Sequence, residues 1–300
     1  MKILCIGHSA YDITIPIEQY PMENKKYVVD EVIECGGGPA PNGAYLIASW
    51  GMDCGYAGVI GNDIYGLRIR DEFLKAGVDL RYLEINEESG TPISFIWANR
   101  DNGSRTLFNH KKQIGTLRYL KFQEDAPETI LLDGHELTAS MEAIKKYPKA
   151  TTILDGGSYN SSTRRLAELV DYLVCSEDFA KELSGIIKFD SQENIEKVFT
   201  KLEEVNANTI VVTLGEKGSL YKQGGRIVHQ EPFKVKAVDT TGAGDIFHGA
   251  FAYGITKGFD MTKTIKISSI AAALSVQKMG GRVAIPKWEE VLDLYRTGVI

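Results

Sequence analysis

The chain has 300 residues, 43% hydrophobic and 25% charged, the make-up of an ordinary globular protein long enough to bury a large core. Its 34 basic and 40 acidic residues leave a net charge of −6, which argues against a nucleic-acid or anionic-membrane surface as the main purpose. Four scattered cysteines (Cys5, Cys35, Cys54, Cys175) with no C-x-x-C pair exclude a disulfide scaffold or zinc module. No apolar run nears the roughly 18 residues of a membrane span, so the expected location is the cytoplasm.

In chain order, the apolar run within residues 1–7 reads as a buried first strand rather than a signal-peptide core. Residues 13–34 show period-2 patterning. Helical patterns follow over 41–50 and 63–76, and a second period-2 stretch covers 91–110. Short β-branched runs at 129–133, 151–155, 172–175 and 209–213 then alternate with helical stretches at 140–147, 162–169, from Glu177, and at 195–204. That alternation predicts βαβ units and a parallel sheet, whose ligands bind beyond the carboxyl ends of the strands. The two period-2 stretches interrupt this α/β rhythm. They predict a small β-sheet lid with a dimer surface, or else an antiparallel extension of the main sheet.

The sharpest chemical signal is the string Asp239-Thr240-Thr241-Gly242-Ala243-Gly244-Asp245. A helical face begins at Ala243, so Gly242, Ala243 and Gly244 stand where backbone N–H groups and the helix dipole meet an anion. Asp245 falls in the first turn. A carboxylate repels a bound phosphate but suits a general base for an alcohol attacking it. An acid that only complements the dipole is the bland alternative.

Three further stretches carry weaker signals. Cys35-Gly36-Gly37-Gly38-Pro39-Ala40-Pro41-Asn42 is a glycine-rich turn into a helix, with Asn42 offering a donor and an acceptor; a plain tight turn explains it equally well. Asp12, shortly after the first strand, can accept from two adjacent sugar hydroxyls or simply form a turn. Thr213, Gly215 and Gly218 end a strand and can seat a nucleotide or start the hairpin that turns at Gly224 and Gly225.

Taken together these motifs resemble the ribokinase family, the PfkB-type carbohydrate kinases, along nearly the whole chain. The resemblance implies a single doubly wound, mostly parallel α/β domain over residues 1–300, with a small inserted β lid at about 13–34 and 91–110. It implies ATP and Mg2+ as cofactors, Asp245 as catalytic base, and Gly242, Ala243 and Gly244 as its anion hole. Asp12, Gly37, Gly38 and Asn42 correspond to the sugar site, and Thr213, Gly215 and Gly218 to the nucleotide side. Homodimers through the lid are also implied. Two departures stand out. Where the family has Asn-x-x-Glu this chain reads Ser176-Glu177-Asp178-Phe179. Near the C-terminus Gly280-Gly281-Arg282-Val283-Ala284-Ile285-Pro286 lacks the family's serine, leaving Asp239 and Thr241 as oxygen donors for a monovalent cation.

The expected function is therefore ATP-dependent phosphorylation of a hydroxymethyl group on a small ketose or pentose. Cations at Lys25, Lys26, Arg105, Lys111 and Lys112, with Asn109, suit an anionic sugar if they face the pocket, and solvent if they do not. Tyr11, Phe95, Trp97 and Phe108 would serve a nucleoside kinase of the same fold if they formed a base-stacking pocket. A sugar-binding regulator without turnover is a third reading, supported by the altered Asn-x-x-Glu and opposed by the intact Asp245. A dinucleotide oxidoreductase fails, because no strand is followed by G-x-G-x-x-G.

Overall fold

In a computed structural model, which describes residues 1–112, 114–117 and 126–298, the first apolar run forms β1 (Ile3–Ile6) with every side chain buried. β4 (Cys54–Gly61) and β8 (Thr129–Leu132) pair with it in parallel, one on each side. Beyond β4 lies β5 (Asp79–Asn86), also parallel. Beyond β8 the sheet continues through parallel β9 (Thr151–Gly156), β10 (Tyr172–Ser176) and β11 (Thr209–Thr213). The hairpin β12 (Ser219–Gln223) and β13 (Arg226–Gln230) closes that edge antiparallel, giving nine strands in the order β13-β12-β11-β10-β9-β8-β1-β4-β5. Winding therefore reverses between β1 and β8, and the crevice outside their carboxyl ends is where such sheets take ligands.

Strand periodicity splits the core between the two faces. Ile3 and Cys5 pack with Leu46, Phe73, Phe247, Phe251 and Ile270. This face is covered by α1 (Pro39–Ser49), α2 (Ile64–Ala76), α7 (Ala243–Thr256), α8 (Met261–Ser275) and α9 (Trp288–Thr297). Leu4 and Ile6 turn the other way, to Leu132, Leu166, Phe199 and Leu202, beneath α3 (Leu137–Lys146), α4 (Ser161–Ala167), α5 (Glu177–Ser184) and α6 (Gln192–Glu203).

A separate four-stranded sheet is built from β2 (Ala10–Ile17), β3 (Ile33–Gly37), β6 (Ile93–Asn99) and β7 (Arg105–His110), ordered β3-β2-β6-β7. Its central pair β2–β6 is parallel and the outer pairs are antiparallel. The strands differ from the predicted 13–34 stretch. Residues 18–32 form no strand and are exposed. Pro21 removes a ladder donor there, and Asn24 takes a left-handed φ of 58°. β2 instead begins at Ala10, so Asp12 is not a turn residue: it lies within a strand, opposite Ser94 on β6 and Cys35 on β3.

Candidate active site

Two helices open on the crevice, and both begin from glycines in backbone that side-chain-bearing residues avoid. Gly38 precedes α1 at φ 105° and Gly242 precedes α7 at φ 74°. Asp133, just past β8 at the point of reversal, fixes the approach. Its Oδ2 accepts from the backbone N–H groups of His8 (3.0 Å) and Ala40 (3.3 Å), and its Oδ1 from that of His135 (3.0 Å). One carboxylate thereby joins the loop after β1 to the start of α1. Asp133 closes the 129–133 run read from the sequence, where it was given no task.

Asp245 stands in the first turn of α7, and Asn42 in α1 donates from Nδ2 to its Oδ2 at 2.8 Å. Burial, aided by the charge of Asp155, pushes the Asp245 carboxyl up to about 7, while the Asn42 hydrogen bond and His248 pull the other way. Asn42 is oriented in turn by Arg282, whose Nε donates to its Oδ1 at 3.2 Å. Arg282 is 2% exposed; its Nη1 pairs with Glu72 at 2.9 Å, and Glu72 accepts the Gly36 N–H with both oxygens (3.0 and 3.1 Å). A chain of partners thus runs from α2 through the C-terminal loop to Asp245. Sequence reading recognised Asn42 and Asp245 but not Arg282 or Glu72, whose partners are 210 positions apart.

Asp12 is buried beside this chain. A Cβ on Gly37 would fall 2.1 Å from its Oδ2, so the glycine makes room for the carboxyl. Burial raises Asp12 to about 6 against a hydrogen bond from Ser94 and the charge of Arg282. Asp12 and Ser94 alternate with Ile13, Phe95 and Trp97 along paired strands. Phe95 and Trp97 therefore lie on the face of the small sheet turned away from Asp12, where Phe95 and Phe108 are 39% and 49% exposed. Tyr11 is buried against Tyr65 and Arg68. The four aromatics do not converge into one base-stacking pocket.

The turn before Asp245 is open: a Cβ on Gly244 would meet nothing within 4 Å. Thr240 ties this turn to the four-stranded sheet, donating to Gly103 O at 3.1 Å and contacting Arg105 Nη1. Asp239 accepts from the backbone N–H groups of Thr241 and Gly280, both at 2.8 Å, pinning the turn to the C-terminal loop. The Thr241 hydroxyl is buried without a hydrogen-bond partner. Thr213 sits at the carboxyl end of β11 and donates to Cys175 O at 3.3 Å. Gly215 opens a 3-10 turn, and Gly218 packs on the Gln230 carbonyl, where a Cβ would come within 2.1 Å. These three lie at the same carboxyl edge as Asp245, on the β11 side.

Among the described residues, no group of three or more His, Cys, Asp or Glu side chains is arranged around a metal. At the altered motif, Ser176 caps α5 by accepting from Phe179 N, Phe179 is buried, and Glu177 is held by Lys181 at 2.8 Å. These residues do not form a protein cage for magnesium.

The chain matches the pfkB family of carbohydrate kinases over residues 1–288. It is 28% identical to a ribokinase of Staphylococcus aureus (strain COL), over 97% of this chain and 98% of that one. It is 23% identical to a nucleoside kinase of Methanocaldococcus jannaschii, over 97% and 96%. The structure of Arabidopsis thaliana ribokinase complexed with ribose and ATP superposes with a TM-score of 0.82 at 24% identity, over 98% of each chain. The protein belongs to the pfkB family of carbohydrate kinases and has the ribokinase fold.

Proposed function

We propose that this kinase transfers the γ-phosphoryl group of ATP to a hydroxymethyl group of a small ketose or pentose. In this reading residues 1–300 act as one domain, and the second sheet is a lid over the sugar. Asp12, Gly37, Gly38 and Asn42 form the sugar end. Asp245 takes the proton of the attacking hydroxyl as its oxygen bonds to the γ-phosphorus and the bond to ADP breaks. The amides of Gly242, Ala243 and Gly244 meet the charge on the transferred group, and Thr213, Gly215 and Gly218 line the nucleotide end.

The observation that carries the reading is Asp245 behind the open glycine turn, with the Asn42 amide 2.8 Å from its carboxylate. Burial that makes ionisation costly also makes this carboxylate a stronger base. Magnesium is expected to arrive with the nucleotide, held by phosphate oxygens and water. The orphaned Thr241 hydroxyl beside Asp239 supports a monovalent-cation site in the turn behind it. The exposed Phe95 and Phe108 on the outer lid face support a homodimer through the lid.

An ADP-release assay over neutral ketoses and pentoses, their phosphorylated and sulfonated forms, and nucleosides tests the substrate. Turnover of a neutral or anionic sugar is the expected result. Turnover of nucleosides alone would overturn it in favour of the activity named for the M. jannaschii relative.

A further inference from the structure

Behind the base lies a buried pair to which the phosphoryl-transfer steps above give no task. His248 follows Asp245 by one turn in α7 and is 3% exposed; Asp155 ends β9 and is 4% exposed. The imidazole Nδ1 is 2.6 Å from Gly244 O and 3.1 Å from Asp155 Oδ2, and Nε2 is 3.0 Å from Val174 O on β10. Carbonyl oxygens only accept hydrogen bonds. A neutral imidazole would aim one nitrogen lone pair at an oxygen lone pair inside the core. Both nitrogens must carry hydrogens, so the ring is an imidazolium and Asp155 is its counter-ion. Asp155 Oδ1 is separately fixed by Gly157 N at 3.0 Å, and its Oδ2 makes no well-directed hydrogen bond, leaving ion pairing as its role.

The ring also grips the peptide that matters. Gly244 lies in the first turn of α7, with open space where a side chain would stand, and its carbonyl takes the His248 ring in addition to its place in the helix. His248 holds that carbonyl and ties it to Asp155 near the end of β9 and to Val174 in the middle of β10. The peptide unit so held is the one that carries the N–H of Asp245.

We propose that Asp155 and His248 form a buried ion pair that positions the Gly244–Asp245 peptide and sets the electrostatic environment of the base. The proposal rests on the reading of Asp245 as base. Four groups face the Asp245 carboxyl: Asp155 from β9, His248 from its own helix, Asp12 from β2, and the neutral Asn42 from α1. On α8, which packs along α7, Lys263 and Lys266 turn instead to Phe259 and Tyr295. Asp155 hinders ionisation of Asp245 and His248 favours it, so removing either charge must move the base in opposite directions.

The test is the pH profile of kcat/KM for an accepted sugar in full-length protein. His248→Gln should move the acidic limb up by roughly 1 pH unit, Asp155→Asn should move it down, and the double variant should return toward wild type. Loss of thermal stability with unmoved limbs, or limbs moving the same way, overturns the proposal. Nitrogen-15 NMR of the histidine rings in ligand-free protein gives a readout independent of activity and of how the variants fold. His248 should show two protonated nitrogens from pH 5 to 9, and a neutral ring at pH 8 overturns the proposal. Full activity of Asp245→Asn would instead sink the reading of the base itself.

Discussion

Arg282→Met offers a quantitative test of the partner chain that orients Asn42. The substitution removes the Nη1 ion pair with Glu72 at 2.9 Å and the Nε donor to Asn42 at 3.2 Å. It also removes a guanidinium lying 4.8 Å from the Phe73 ring and 5.5 Å from that of Tyr45. Breaking a buried pair from one side costs about 3–5 kcal/mol, because the remaining charge is left uncompensated. Glu72 is 26% exposed and keeps the Gly36 N–H, which places the expected loss at the low end, about 3 kcal/mol. At roughly 2–4 °C per kcal/mol for a chain approaching this size, Tm should fall by about 6–12 °C. Urea titration and thermal melts measure the two quantities independently. Adding Glu72→Gln to Arg282→Met removes the stranded charge while keeping an acceptor for the Gly36 N–H, and should recover most of the loss. A single-variant cost below about 1 kcal/mol, or no recovery in the double variant, would refute the argument.

Asp245→Asn should lower kcat by about 10²–10⁴-fold, and kcat/KM of the wild type should fall as pH drops through about 7, where the base takes up its proton. The same variant should gain stability at neutral and alkaline pH. A carboxyl raised from 3.8 to about 7 on folding contributes stability that is lost as pH climbs through that window, so the gap between variant and wild type should close toward pH 4 in parallel melts. Asp12→Ala should weaken sugar binding by about 1.5–3 kcal/mol for each charged hydrogen bond lost, with the KM for ATP unchanged; equal weakening of both would return Asp12 to a structural role. Gly37→Ala should raise the sugar KM in the same selective way, because its Cβ would fall 2.1 Å from Asp12 Oδ2. Light scattering at micromolar concentration should give twice the chain mass, and a monomer there would remove the lid dimer.

What could be read from the sequence follows from how local each signal is. The 209–213 run became β11 with identical bounds, because a β-branched run between two turns specifies its strand without outside help. The α7 start was legible for the same reason: the glycine turn and the apolar face of the helix lie within a few residues of each other. Residues 18–32 misled because alternation of residue type persists where Pro21 and the absence of a partner strand forbid pairing. A turn stood as an alternative for Asp12 because strand membership depends on Cys35 and Ser94, 23 and 82 positions away, which local pattern does not register. Arg282 stood in a segment read only for its missing serine. Nothing in the sequence around it reveals that a buried guanidinium there spans to Glu72 and Asn42.

If Asp245 is the base proposed above, the charges of the site also explain how it can work beside a phosphate. Six acids gather around the crevice, Asp12, Glu72, Asp133, Asp155, Asp239 and Asp245, against two buried cations, Arg282 and His248. Each cation is committed to a carboxylate other than the base: Arg282 to Glu72, and His248 to Asp155. Neither is therefore free to pair directly with Asp245, which would hold it ionised and make it a weak base. The neutral Asn42 amide takes the direct contact instead, orienting the carboxylate without a full positive charge. Asp245 is thus kept unfavourable as an anion by burial and by Asp155, and most ready to accept a proton when a hydroxyl arrives. In the proposed assignment an incoming phosphate meets the amide-lined start of α7, next to Thr240 and the Arg105 guanidinium that contacts it. The attraction comes from backbone dipoles that need no counter-charge of their own, so the base and the anion hole can occupy adjacent residues.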